Sequence, residues 1–154
     1  MKASEPVDPT PARRPLRAPI VGTRYDLHPL DPATHVDQLF AAGHEPSGAG
    51  RQWTYLPYGP FDSATSMREW LDRCATSTDP LFFAVVDRRS GAAVGMCTFM
   101  SIVPEMRRLE IGHVWYAPSR HGSGVNSEVV LLMLAEAFER LGYRRVEWKC
   151  DALN

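Results

Sequence analysis

The 154-residue sequence contains no apolar run long enough to cross a bilayer and no apolar N-terminal core of the kind a signal peptide needs. Three cysteines, Cys74, Cys97 and Cys150, stand too far apart for a disulfide framework or a zinc pattern, so a reducing cytoplasm is the expected compartment. Charge of one sign is not in excess: the formal net charge is -1, which favours neither nucleic acid nor a membrane surface as a partner. Internal repeats and low-complexity tracts are also missing. What is there is ordinary for one globular domain, since a chain of this length buries about two thirds of its unfolded surface.

Residues 1–19 are rich in proline, arginine and small residues without apolar periodicity, which predicts a flexible arm ahead of a domain spanning 20–154. "TRYDLHPLD" reads as a first strand. "PATHVDQLFAAGHE" reads as a helix with Pro32 in its first turn. "QWTYLPYGPF" has the composition of an ordered aromatic loop, and "DSATSMREWLDRCA" that of a helix capped by Asp62 or Ser63. "LFFAVVD", the turn "RRSG" and "AAVGMCTFMSIV" predict a hairpin. "RRLEIGHVWYAP" is a further strand. In "VNSEVVLLMLAEAFERL" the residues Val129, Leu132, Met133, Phe138 and Leu141 predict the buried stripe of a helix stopped by Gly142. "RRVEWKCDALN" predicts a last strand.

Between the fourth strand and that helix lies "RHGSGVN", residues 120–126. A glycine loop that feeds a helix N-terminus directs backbone N–H groups and the positive end of the helix dipole at one spot, which suits an anion. Gly122 and Gly124 permit positive φ and close approach of backbone to phosphate oxygens. A nucleoside-triphosphate loop is excluded, because no Lys-Ser or Lys-Thr follows. A dinucleotide loop misses its third glycine at Ser127; Asp151 stands where a ribose-binding acid would lie, yet only residues 125–154 remain to build the rest of such a fold.

From "LEIGHVWYAP" through this loop and helix to "WKCDALN", the sequence resembles the acetyl-coenzyme A-binding core of the GNAT N-acetyltransferases, in particular the branch related to ribosomal-protein N-terminal acetyltransferases. The resemblance extends back over the hairpin and aromatic loop to about residue 22. The loop register is His121, Gly122, Ser123, Gly124, Val125, Asn126; the central glycine matches, His121 replaces the usual Gln or Arg with Arg120 beside it, and Asn126 replaces a small residue.

The resemblance implies an α/β fold with a mixed, mostly antiparallel twisted sheet flanked by helices. It implies acetyl-coenzyme A as co-substrate, with the pyrophosphate on residues 120–126 and the pantetheine along the backbone of Val114, Trp115 and Tyr116, near Asn154. It also implies a helix and strand pair after "DALN", which this sequence does not contain. Three expectations follow: a fragment of an acetyltransferase, a chain completed by a partner or by a homodimer through the exposed edge strand "RRVEWKC", or a non-catalytic coenzyme-binding or interaction module.

Transfer to an amine needs a base, an oxyanion donor and an acid. Glu110, on the strand that carries the coenzyme, is the candidate base; its structural alternative is an ion pair with Arg107 or Arg108. Alternation sends His113 to the face opposite Glu110 unless a bulge intervenes, and Gly112 is a place for one. Trp53, Tyr55 and Tyr58 are candidates for the wall of an acceptor pocket that takes a small-molecule or peptide amine. No metal pattern is present. Cys150 has no assignable partner for nucleophilic work.

Overall fold

A computed structural model describes residues 9–46 and 50–154. Five strands form one sheet in the order β1-β2-β3-β4-β5: β1 (Tyr25–Pro29), β2 (Leu81–Asp87), β3 (Ala93–Val103), β4 (Arg108–Tyr116) and β5 (Arg145–Glu147). All neighbours are antiparallel except β4 and β5, which run parallel. Three helices flank the sheet: α1 (Pro32–Gly43) and α2 (Ala64–Thr76) on one face, and α3 (Val125–Ala135) on the other. The fold class is the mixed α/β one that the sequence implied.

Covering both faces explains "LFFAVVD". Every residue of β2 is buried, so the strand reads as a continuous apolar run rather than an alternating one. Phe83 and Val85 face α3 with Leu109, Ile111, Val129 and Met133; Phe82 and Ala84 face α1 and α2 with Leu39, Met67 and Leu71. Local chemistry sets the helix starts. Asp31 accepts from the Ala33 amide with Pro32 in the first turn, and Ser63 forms a capping box with Ser66, which decides between the two expected caps in favour of Ser63.

Four expectations are corrected. Residues 9–19 are a strap, not a loose arm: the Ala12 amide donates to Pro104 O at 3.0 Å, the Arg13 amide to Leu141 O at 2.9 Å, and Ala12 is buried in the core. Backbone hydrogen bonds and one small side chain do there what apolar periodicity did not announce. Residues 1–8 of the expected arm lie outside the described residues. The last helix changes to a π turn over Glu136–Arg140, which puts Ala137 and Leu141 in the core and turns Phe138 outward, 44% exposed. Gly142, at φ 81°, ends it as expected.

The last strand is only Arg145–Glu147; it parts from β4 after the pair Glu110↔Glu147. Finally, His113 takes φ 50° at a bulge: Gly112 pairs with Thr98 and Trp115 with Met96, so two residues of β4 oppose one of β3. The extra residue moves His113 onto the face of Glu110 and Gly112, where it packs on Tyr58 and Phe82.

Candidate active site

The parting of β4 from β5 opens a cleft of about 540 Å³. Beyond Glu110, β4 has β3 on one side and, among the described residues, no strand on the other, which leaves the backbone edge from Ile111 to Tyr116 unpaired along the cleft. His121 and Asn126 line one end, Tyr55 and Gln52 of the aromatic loop the opposite wall, and Lys149, Cys150 and Asn154 the β5 side. Tyr55 Oη donates to Leu153 O at 2.5 Å and so ties the aromatic loop to the segment after β5.

The glycine loop meets the cleft at Tyr116, His121 and Asn126. Gly122 and Gly124 have φ of 75° and 84°, and Gly124 is the N-cap of α3. No side chain caps the helix at Gly124, although Ser123 Oγ lies 3.3 Å from the Val125 amide. Among the described residues, the amides of Gly122, Gly124, Asn126 and Ser127 donate to no protein acceptor. A cluster of unspent N–H groups at a helix N-terminus is what a pyrophosphate requires. A Cβ at Gly122 would meet nothing within 4 Å, so the hollow above it is open. Arg120 borders the same hollow, but its guanidinium is paired with Asp87 at 2.8 Å. Tyr116 Oη donates to Asn126 Oδ1 at 3.2 Å, which joins the end of β4 to the start of α3.

Glu110 is buried beneath the cleft, only 5% exposed. Its partner is neither of the expected arginines: Arg108 pairs with Glu147, and Arg107 Nε donates to Gly142 O. Instead Lys149 Nζ lies 2.5 Å from Glu110 Oε2, and Ser101 Oγ donates to the same oxygen at 3.4 Å. His113 shares this wall. Burial holds its pKa below the ordinary histidine value, and its Nδ1 has no hydrogen-bond partner.

Of the three aromatic candidates only Tyr55 lines the cleft. Trp53 is buried behind it, held by Nε1–H···O=C to Gly43 at 2.9 Å and packed on Trp115 with ring centroids 5.0 Å apart. Tyr58 is sandwiched between Trp70 and His113. The Trp115 side chain turns into that cluster, so its contribution to the cleft is backbone. Neither the position of Lys149, a single lysine in a stretch that reads as strand, nor the face of His113 follows from sequence alternation. Gly112 was the one signal for the bulge.

The sequence matches the family model described as Acetyltransferase (GNAT) domain over residues 24–154. The chain belongs to the GNAT acetyltransferase family. A GCN5-related N-acetyltransferase from Brucella melitensis is 36% identical with a TM-score of 0.89, over 94% of this chain and 65% of that one. A GNAT-family protein from Chromobacterium violaceum ATCC 12472 is 33% identical with a TM-score of 0.85, over 100% of this chain and 77% of that one. A structure named for a ribosomal-protein-serine acetyltransferase of Vibrio cholerae shares the GNAT fold at 19% identity and a TM-score of 0.68, over 88% of this chain and 75% of that one. A search of curated proteins finds no match. The GNAT domain described here thus spans just under two thirds of the Brucella chain. Among its described residues no helix is long and apolar enough to cross a membrane.

Proposed function

We propose that the chain moves an acetyl group from acetyl-coenzyme A to a primary amine, with the N-terminal amine of a protein as the preferred acceptor class. The observation that carries this reading is the junction of two features: an unpaired edge of β4 leads directly to a glycine loop whose amides lack acceptors. In this reading the amides of Gly122, Gly124, Asn126 and Ser127, with Ser123, Val125, His121 and Arg120 around them, hold the diphosphate; their lack of acceptors supports it. The edge at Val114, Trp115 and Tyr116, opposite Asn154, gives the pantetheine arm hydrogen-bonding backbone of the kind a missing strand would use. Acetyl-coenzyme A supplies the activated acyl carbon.

Glu110 then has the role of proton acceptor for the attacking amine, because it is the buried carboxylate at the back of the same cleft. Tyr55 and Gln52 form the wall past which an acceptor enters. The resemblance to the ribosomal-protein branch supports a peptide N-terminus as the acceptor.

Calorimetry with coenzyme A tests the first half. Gly122→Asp sets a carboxylate in the open hollow, and we expect it to abolish binding while the circular-dichroism spectrum stays that of the parent. Undiminished affinity overturns the loop assignment, and heat from NAD would revive the dinucleotide reading. Glu110→Gln tests the second half: unchanged coenzyme affinity with turnover of a peptide amine lowered about 100- to 10,000-fold.

A further inference from the structure

Glu110 already has an amine beside it. Lys149 is one of two lysines in the chain; the other, Lys2, lies outside the described residues. Lys149 stands two residues past Glu147, where β5 has just left β4. Its side chain reaches back across the gap so that Nζ sits 2.5 Å from Glu110 Oε2. Both residues line the same cleft as the unpaired edge of β4. A primary amine, bonded to the only buried glutamate among the described residues and facing the strand edge assigned to the pantetheine arm, has the position of an acceptor.

The pair is a poor device for holding the fold together. The Lys149 side chain is 70% exposed while that of Glu110 is 6%, and an ion pair with one partner so open to water contributes little to stability. It is cheap to break and re-form, so the amine is free to swing about the carboxylate while remaining within the cleft. An acceptor that is part of the chain also needs no encounter step, and a tethered nucleophile reacts as though it were present at very high concentration.

Resting on the reading of this cleft as an acetyl-transfer site, we infer that Lys149 is a built-in acceptor and that the chain acetylates its own Lys149 Nζ. The lysine ammonium gives one proton to the Glu110 carboxylate, and the freed nitrogen lone pair attacks the thioester carbonyl carbon. A C–N bond forms and the C–S bond breaks. The second nitrogen proton leaves as the amide forms and is matched by protonation of the coenzyme thiolate; Glu110 returns its proton to solvent. The products are N-acetyl-lysine, coenzyme A thiol and one proton. The modification removes the positive charge that holds Glu110 and leaves the carboxylate open to an incoming amine.

The test is mass spectrometry of the whole chain incubated with acetyl-coenzyme A, beside calorimetry of coenzyme A binding on the same sample. We expect one acetyl group, mapped to the peptide containing Lys149. Its rate should be unchanged when the protein is diluted tenfold, because the reaction is internal. Lys149→Arg, which keeps the charge and the pairing to Glu110, should lose that label, and Glu110→Gln should slow it about 100-fold.

A protein that binds coenzyme A yet stays unmodified at Lys149 overturns the inference and leaves the transfer reading standing. Labelling that survives in Gly122→Asp, or that falls equally on Lys2 and the N-terminal amine, identifies solution chemistry and overturns it as well. Absence of coenzyme binding overturns both readings together.

Discussion

Glu128 shows how much of this domain hangs on single carboxylates. In the first turn of α3 it accepts from the amides of Thr23, Arg24 and Tyr25 at 3.1, 2.5 and 3.1 Å, and from Arg24 Nε at 2.7 Å. The segment before β1 is thereby fastened to the helix whose N-terminus forms the glycine loop. Partial burial alone would raise the Glu128 carboxyl, but these hydrogen bonds from Arg24 and Tyr25 outweigh it and hold its pKa below the ordinary glutamate value. A carboxyl with a lowered folded pKa stabilises fully above its unfolded pKa and loses that contribution as pH falls through the folded one. Glu128→Gln keeps the size and discards the charge. We expect it to cost about 2 kcal/mol and to lower the melting temperature by roughly 4–8 °C at neutral pH, with the gap to the parent closing in acid; calorimetric scans along a pH series would measure it. A gap that stays constant into acid would show that the charge is idle. At the same scale Cys97 is inert, since burial pushes its thiol pKa up and out of the reactive range.

Among the elements, β3 and β4 form the wall on which the site is built, and their fit is tightest at Gly95. A Cβ there would come within 2.2 Å of Trp115 O and 3.0 Å of Tyr116 Cα, both backbone atoms that cannot step aside. Gly95→Ala should therefore spread the two strands at the Trp115–Tyr116 end of β4. We expect a loss of about 3 kcal/mol in urea unfolding and weaker coenzyme binding than the parent at a temperature where both are folded. Unchanged stability and affinity would mean that the strand wall is not what positions the edge.

The hairpin around that glycine was legible because β-rich runs and a turn leave a direct imprint on sequence, and the start of α2 was legible for the same local reason, to within the choice of Asp62 or Ser63 as its cap. The face presented by His113 was not. It depends on a bulge in the β3–β4 register, and apart from Gly112 nothing in "EIGHVWY" distinguishes a bulged strand from a regular one. Phe138 was misread because α3 carries apolar residues around much of its girth: Leu131 is 63% exposed, so periodicity gave the π turn no contrast to act against. Lys149 was invisible because its significance lies in a partner on another strand. The positive-φ glycine turn that opens α3, by contrast, is a local device and could be read from seven residues.

For the molecule as a whole, two imidazoles, His35 buried and His113 half-buried, are expected to make folding sensitive to mild acid. His35 is buried in α1, where Nδ1 accepts from the Asp31 amide at 3.1 Å; His113 lies in the aromatic cluster. Burial lowers the pKa of both from the ordinary value of 6.5. The unfolded chain therefore takes up protons first. Stability is level above about pH 7 and declines as pH drops below about 6.5, until the folded imidazoles are themselves protonated. The urea midpoint should follow that course, and His113→Phe, which suits a site between Tyr58 and Phe82, should make it shallower. A midpoint that holds steady through this window would mean that the imidazoles titrate alike in both states.

The strap, both helical layers and the β2–β3–β4 meander enclose the core, yet β5 reaches its place only by way of α3, as a parallel neighbour. Antiparallel hairpins close over short stretches of chain, whereas a parallel pair must wait for its crossover to dock. There is a chronology in this. The glycine loop belongs to the crossover itself, and the bulged wall to the meander, so both are expected to form before Lys149 reaches Glu110. The meeting of that amine and that carboxylate thus marks the docking of the crossover onto the meander.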